Sequence, residues 1–121
     1  MLADDEADLR RLLKARLTSS GFDVMDVEDG RLALALVRAE RPDLVVLDHR
    51  MPEMDGGEVC RQIKADPELA LTPVVIVTAT SKAMDPTIAE ALRPDDVVIK
   101  PFSYSDLLAR LHRLLPELPE P

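Results

Sequence analysis

The sequence has a single cysteine, no long apolar run, no excess of basic residues and no internal repeat. One cysteine, Cys60, excludes an internal disulfide and suits a reducing, cytoplasmic setting. No Cys/His cluster has the spacing of a zinc site, so Cys60 is expected to pack half-buried on a helix. No apolar stretch approaches the ~18–20 residues that cross a bilayer. The N-terminus, MLADDEADLR, is acidic and lacks the basic-then-apolar order of a signal peptide. With 15 Lys and Arg against 23 Asp and Glu, the formal net charge is -8. That argues against direct nucleic-acid binding by this chain, and favours solubility and a site that collects cations.

What is present points to one domain. A chain of 121 residues, 46% of them apolar, is long enough for a real core and too apolar for disorder. Residues 6–19 place Leu9, Leu12, Leu13 and Leu17 at helical spacing, and Gly21 closes that helix. FDVMDV (22–27) reads as a short strand. Gly30 opens a second helix with Leu32, Leu36 and Val37 on one face. Pro42 breaks the chain before DLVVLD, a wholly apolar strand ending on Asp48. A helix over 57–65 turns Val59 and Ile63 inward, and Pro73 precedes a second apolar strand, VVIVTA. A short helix is expected over 85–92 and a strand over 97–100. Ser103 is expected to cap a last, Leu-rich helix, before a proline-rich acidic tail at 116–121 that reads as a linker or terminus. Apolar strands alternating with helices imply a doubly wound parallel sheet, which binds ligands at the carboxyl ends of its strands.

Four chain segments end at that edge with compatible groups: Asp4 and Asp5, Asp48, Thr78 and Lys100. Three carboxylates within a few ångströms repel one another, and a divalent cation relieves the repulsion. Hard oxygen donors with open water positions suit Mg²⁺. A carboxylate can also attack phosphorus to give an acyl phosphate, whose added charge Lys100 could pair and Thr78 could hydrogen-bond. Each residue has a plainer reading: Asp4 and Asp5 as caps of the first helix, Asp48 as a turn residue, Thr78 as a strand end, Lys100 as a solvated lysine. The ordered conjunction favours a site.

ADDE at 3–6, LVVLDHRMPEMDG at 44–56, PVVIVTA at 73–79 and KPF at 100–102 together resemble the receiver domain of two-component response regulators, and EDGRLAL at 28–34 fits the same pattern. The intervals fit as well: 30 positions from Asp48 to Thr78 and 22 from Thr78 to Lys100. The resemblance spans nearly the whole chain. It implies a flavodoxin-like five-stranded sheet in the order 2-1-3-4-5 with five helices, over residues 1–115. It implies that Asp48 accepts a phosphoryl group from a phosphohistidine of a sensor histidine kinase or phosphotransfer protein. Asp5 would be the principal metal carboxylate, with Asp4, Asp48 and the backbone carbonyl of Arg50 completing the Mg²⁺ site. Thr78 would reorient toward the phosphoryl group and Lys100 would pair with it. Pro101 would follow a cis bond, Ala79 would stay small over the pocket, and Gly56 would bring the loop back into its helix.

Three departures stand out. Only Met1-Leu2-Ala3 precede the acidic pair, so the first strand should be a stub. Val97 stands where the family often has an aromatic switch residue, so signalling would rely on backbone movement around Thr78 and the 80–85 loop. Before the last strand, Arg93-Pro94 stands where the family usually has small residues, which stiffens the turn leading into that strand. Arg50 and Thr80, each two residues beyond a site residue, are expected to overhang the site; Arg50 either slows loss of the phosphoryl group or points into solvent. His49 is expected to pack or face solvent, and His112 to be exposed.

The leading expectation is a signalling switch, not a turnover enzyme, whose face over 85–115 controls an output domain or a partner. Arg110 and Arg113 would also permit a homodimer through that face. The alternatives are a phosphorylation-independent interaction module, and a Mg²⁺-dependent phosphatase with an Asp nucleophile. The phosphatase reading lacks the second Asp two residues beyond the nucleophile, where Arg50 stands, and has no room for a cap domain.

Overall fold

In the computed structural model, residues 1–79 and 93–115 are described. The strands are β1 (Leu2–Ala3), β2 (Asp26–Val27), β3 (Val45–Asp48), β4 (Val74–Thr78) and β5 (Asp96–Ile99). The described helices are α1 (Ala7–Ser19), α2 (Gly30–Glu40), α3 (Gly56–Ala65) and α4 (Tyr104–Leu114). The expected helix over 85–92, the 80–85 loop with Thr80, and the tail at 116–121 lie outside the described residues.

All five strands are parallel, in the order β2-β1-β3-β4-β5. This is the expected flavodoxin-like order. The alternation of side chains along each strand divides the core into two layers. Ala3, Val45, Leu47, Val74 and Ile76 face α2 and α3, where they meet Ala33, Leu34, Val37, Val59, Cys60 and Ile63. Leu2, Val46, Val75, Val77 and Val98 face the other way, against Leu13, Leu17, Leu107 and Leu111 of α1 and α4. β3 and β4 are buried along their whole length. That is why they read as unbroken apolar runs rather than alternating ones.

The helix starts follow side-chain chemistry. Asp29, Asp55 and Ser103 accept from the backbone N–H three residues on, at Leu32, Glu58 and Asp106. Gly21, with φ of 100°, sits just past the end of α1 in the left-handed region that glycine tolerates. Two other glycines are required by close approach. A Cβ on Gly30 would collide with the Met54 carbonyl oxygen, and one on Gly56 with the Asp48 carbonyl oxygen. Gly56 N–H also donates to the His49 carbonyl (2.8 Å), which folds the loop after β3 back onto α3.

Several expectations are corrected. The second strand covers Asp26–Val27, not 22–27, because its parallel partner β1 offers only two residues to pair. Phe22 and Val24 pack on the α1/α4 layer without joining a ladder. Leu12 and Leu32 are 52% and 50% exposed; the inward face of α2 is Gly30, Ala33, Leu34 and Val37. Cys60 is wholly buried, not half-buried, because α3 lies directly over β3 and β4. His112 is half-buried, its ring edge-on to Phe22 at 6.0 Å. The Lys100–Pro101 bond is cis, as expected.

Candidate functional site

The short β1 places Asp4 and Asp5 at the carboxyl edge, and register does the rest. Ala3 pairs with Leu47, so Asp4 lies beside Asp48, while Thr78 pairs with Ile99, so Lys100 leaves β5 beside it. His49 N–H donates to the Val77 carbonyl (2.7 Å) and Lys100 N–H to the Thr78 carbonyl (2.7 Å), carrying the ladder to the edge. A cleft of about 460 Å³ opens there, lined by Asp5, Glu6, Asp48, Arg50, Thr78 and Lys100 among others.

Carboxylate oxygens of Asp4, Asp5 and Asp48 lie within 4.8 Å of one another. Asp4 and Asp48 are buried and Asp5 is exposed, so one acid faces water while two stand behind it. Burial, then the Asp4 charge, pushes the Asp48 carboxyl up to about 6, against the pull of Lys100. Burial also raises Asp4, although its Oδ1 accepts the Glu6 backbone N–H at 2.9 Å. That bond means the capping reading of Asp4 is partly true: the acid serves the start of α1 and the cluster together.

Lys100 Nζ lies 3.4 Å from Asp48 Oδ1 and 3.7 Å from Glu6 Oε1. Thr78 is buried at the end of β4, on the cleft wall. Ala79 is exposed at the cleft, and Arg50 is exposed on its rim. His49 is half-buried at the lip. Arg110, expected to be available for a homodimer, is engaged within the chain by Asp96 (2.8 Å) and Asp106 (3.2 Å).

Sequence reasoning missed two contributors. Glu6 is the N-cap residue of α1, yet its side chain makes no capping bond and reaches Lys100 instead. Its position directly after the acidic pair was the available signal. Arg10, one helical turn on, donates from Nη1 to the Asp4 carbonyl (2.8 Å) and from Nε to Asp26 Oδ2 (3.1 Å). Nothing in the local pattern indicates the second contact, which depends on how β2 pairs with β1.

An acid cluster with a lysine and a threonine, at the carboxyl edge of a parallel 2-1-3-4-5 sheet, defines a flavodoxin-like domain with an oxygen-rich, cation-attracting site. The response regulator receiver domain profile matches residues 1–112. The chain is 39% identical over 115 residues to the "Probable transcriptional regulator ycf27" of Porphyridium aerugineum, covering 95% of this chain and 47% of that protein. The receiver domain of a signal transduction histidine kinase from Syntrophus aciditrophicus superposes with a TM-score of 0.88 at 33% identity, covering 95% of this chain and 87% of that one. The receiver domain of the sensor histidine kinase PA1611 from Pseudomonas aeruginosa, solved with a magnesium ion coordinated in its active site cleft, superposes with a TM-score of 0.86 at 28% identity over 96% and 95% of the two chains. The chain therefore belongs to the response regulator receiver domain family, the phosphoryl-accepting modules of two-component signalling. It spans about half the length of the curated relatives it matches. Among the described residues, no helix is long and apolar enough to cross a membrane.

Proposed function

We propose that this chain is a phosphorylation-controlled switch with Asp48 as the acceptor. The observation that carries this reading is the convergence of Asp4, Asp5 and Asp48 beside Lys100. The donor is a phosphohistidine on a sensor histidine kinase or phosphotransfer protein. A carboxylate oxygen of Asp48 attacks phosphorus; the new P–O bond forms as the P–N bond breaks, and the imidazole leaves with that electron pair and takes up a proton. With its carboxyl titrating at about 6, Asp48 is ionised and nucleophilic at neutral pH. Lys100 then pairs with the phosphoryl oxygens, and the Thr78 hydroxyl donates to one of them.

The donor set fits Mg²⁺: three carboxylates, all hard oxygen ligands, two of them buried at a real electrostatic cost. Asp5 would be the principal ligand, with Asp4, Asp48 and the backbone carbonyl of Arg50. Bound there, Mg²⁺ would offset the negative charge of the transferred group.

The added charge biases the face over 85–115 through the ends of β4 and β5. Val97, half-buried in β5, occupies the place of an aromatic switch, which favours a signal carried by backbone movement around Thr78. Residues 1–115 form the receiver unit and 116–121 a linker, in a cytoplasmic protein. The reader of the switch is an output domain or a separate partner. The domain turns over only its own phosphoryl group.

The test is intact mass after incubation with Mg²⁺ and acetyl phosphate, with Asp48→Asn alongside. A single base-labile phosphoryl adduct on the wild type, absent from the variant, is expected. A folded, metal-loaded wild type without the adduct would overturn the reading in favour of a phosphorylation-independent interaction module.

A further inference from the structure

We propose that Arg10 is a positioning residue that locks the acidic loop, clamping the Asp4 peptide to Asp26 so that the Asp4 and Asp5 carboxylates are held in metal-binding register. The inference rests on the metal reading of the acid cluster given above.

The loop that carries the two acids leaves the sheet just after β1. Asp4 is held at three points. Its N–H donates to the Val27 carbonyl (3.1 Å), its Oδ1 accepts the Glu6 N–H (2.9 Å), and its carbonyl accepts from Arg10 Nη1 (2.8 Å). The third contact acts on the peptide between Asp4 and Asp5. Rotation about the Asp4 Cα–C bond would move Asp5 relative to Asp4, and holding that carbonyl oxygen opposes it.

Arg10 is itself held. Its side chain is 16% exposed, and its Nε donates to Asp26 Oδ2 at 3.1 Å. The other Asp26 oxygen accepts Lys14 Nζ at 2.8 Å. The Lys14 hydrogen bond first, and then that of Arg10, keep the Asp26 carboxyl below its ordinary range. The planar guanidinium fork thus ties α1 to β2 across the end of β1, a geometry that a lysine cannot reproduce.

Charge and position predict opposite results here. Arg10 is a cation close to a cation site, so by charge alone its removal should tighten Mg²⁺ binding. A positioning role predicts weaker binding, because groups that orient metal ligands commonly contribute 10–100-fold to affinity.

The experiment is calorimetric titration of Mg²⁺ into the wild type, Arg10→Met and Arg10→Lys. Amide exchange at Asp4 and Asp5 is followed by NMR in the metal-free proteins. Arg110→Met is the control; it cuts a comparable bridge to Asp96 (2.8 Å) away from the acid loop. Both Arg10 variants should raise the Mg²⁺ Kd about tenfold and speed exchange at Asp4 and Asp5, while Arg110→Met leaves both at wild-type values. Unchanged or tighter binding in Arg10→Met, wild-type affinity in Arg10→Lys, or equal weakening in Arg110→Met would each overturn the proposal. If the wild type itself takes up no Mg²⁺, the metal reading fails separately. The exchange rates then decide: acceleration in the Arg10 variants supports the lock, and unchanged rates overturn it.

Discussion

Lys100 Nζ stands 3.4 Å from Asp48 Oδ1 at the ends of two strands that do not touch, β5 and β3, with β4 between them. The lysine's charge opposes burial and the Asp4 charge, and the balance of the three leaves the Asp48 carboxyl at about 6. Lys100→Met should therefore move Asp48 further up, by about one unit or more, since an opposite charge at this range is worth ~1–3 units. Carbon-detected NMR titration of the metal-free protein reads this directly. A shift downward, or none, would mean that Lys100 is solvated rather than paired.

The same acid makes stability depend on pH. Unfolded, Asp48 titrates near 3.8; in the fold it titrates at about 6. Between those values the native state keeps a proton that the unfolded state has released, so this group makes stability fall as pH rises through the window. Asp48→Asn removes the buried charge. At about pH 8 without metal, it should be more stable than the wild type by about 1–3 kcal/mol, and the gain should vanish below about pH 4. Urea denaturation of both proteins across that range measures it.

Metal should reverse part of that cost. Mg²⁺ binding only the folded state stabilises it by about 1.4 kcal/mol at tenfold excess over Kd. A rise in Tm on adding Mg²⁺, reversed by chelation, is expected for the wild type. Asp5→Asn should abolish the rise, because Asp5 is the exposed, water-facing member of the acid cluster. Thermal scans with Ca²⁺ and Na⁺ as controls separate this from general screening.

Gly56 tests the loop behind the acid. A Cβ there meets the Asp48 carbonyl oxygen, a backbone atom that cannot rotate aside. Gly56→Ala should destabilise the fold by about 1–3 kcal/mol and slow phosphoryl uptake by shifting the end of β3. Denaturation and the mass assay together read both effects. Normal stability would show that the loop after β3 yields more easily than its packing indicates.

How much of this was legible in the sequence depended on whether the signal was local. β3 and β4 were readable because both their faces are covered, so every position from Val45 to Leu47 and from Val74 to Val77 must be apolar. The caps at Ser103 and Asp55 act over three residues, which makes Ser103 readable from its own neighbours. The phase of an amphipathic helix was less secure. Leu12 and Leu32 lie at helical spacing but outside the contact stripe, because spacing does not state which side meets the sheet. The apolar pattern extends β2 too far, because Phe22 and Val24 are apolar for packing, not for pairing.

The sequence by itself determined the alternation of helices and strands, and the acids and the lysine at the strand ends. Those are properties of neighbouring residues and of burial. Only the tertiary structure decided that the carboxylates of Asp4, Asp5 and Asp48 form one cluster, that Glu6 competes for Lys100, and that Arg10 spans 16 residues to reach Asp26. Those distances are set by parallel register between strands, and no local pattern in the chain encodes which strand lies beside which.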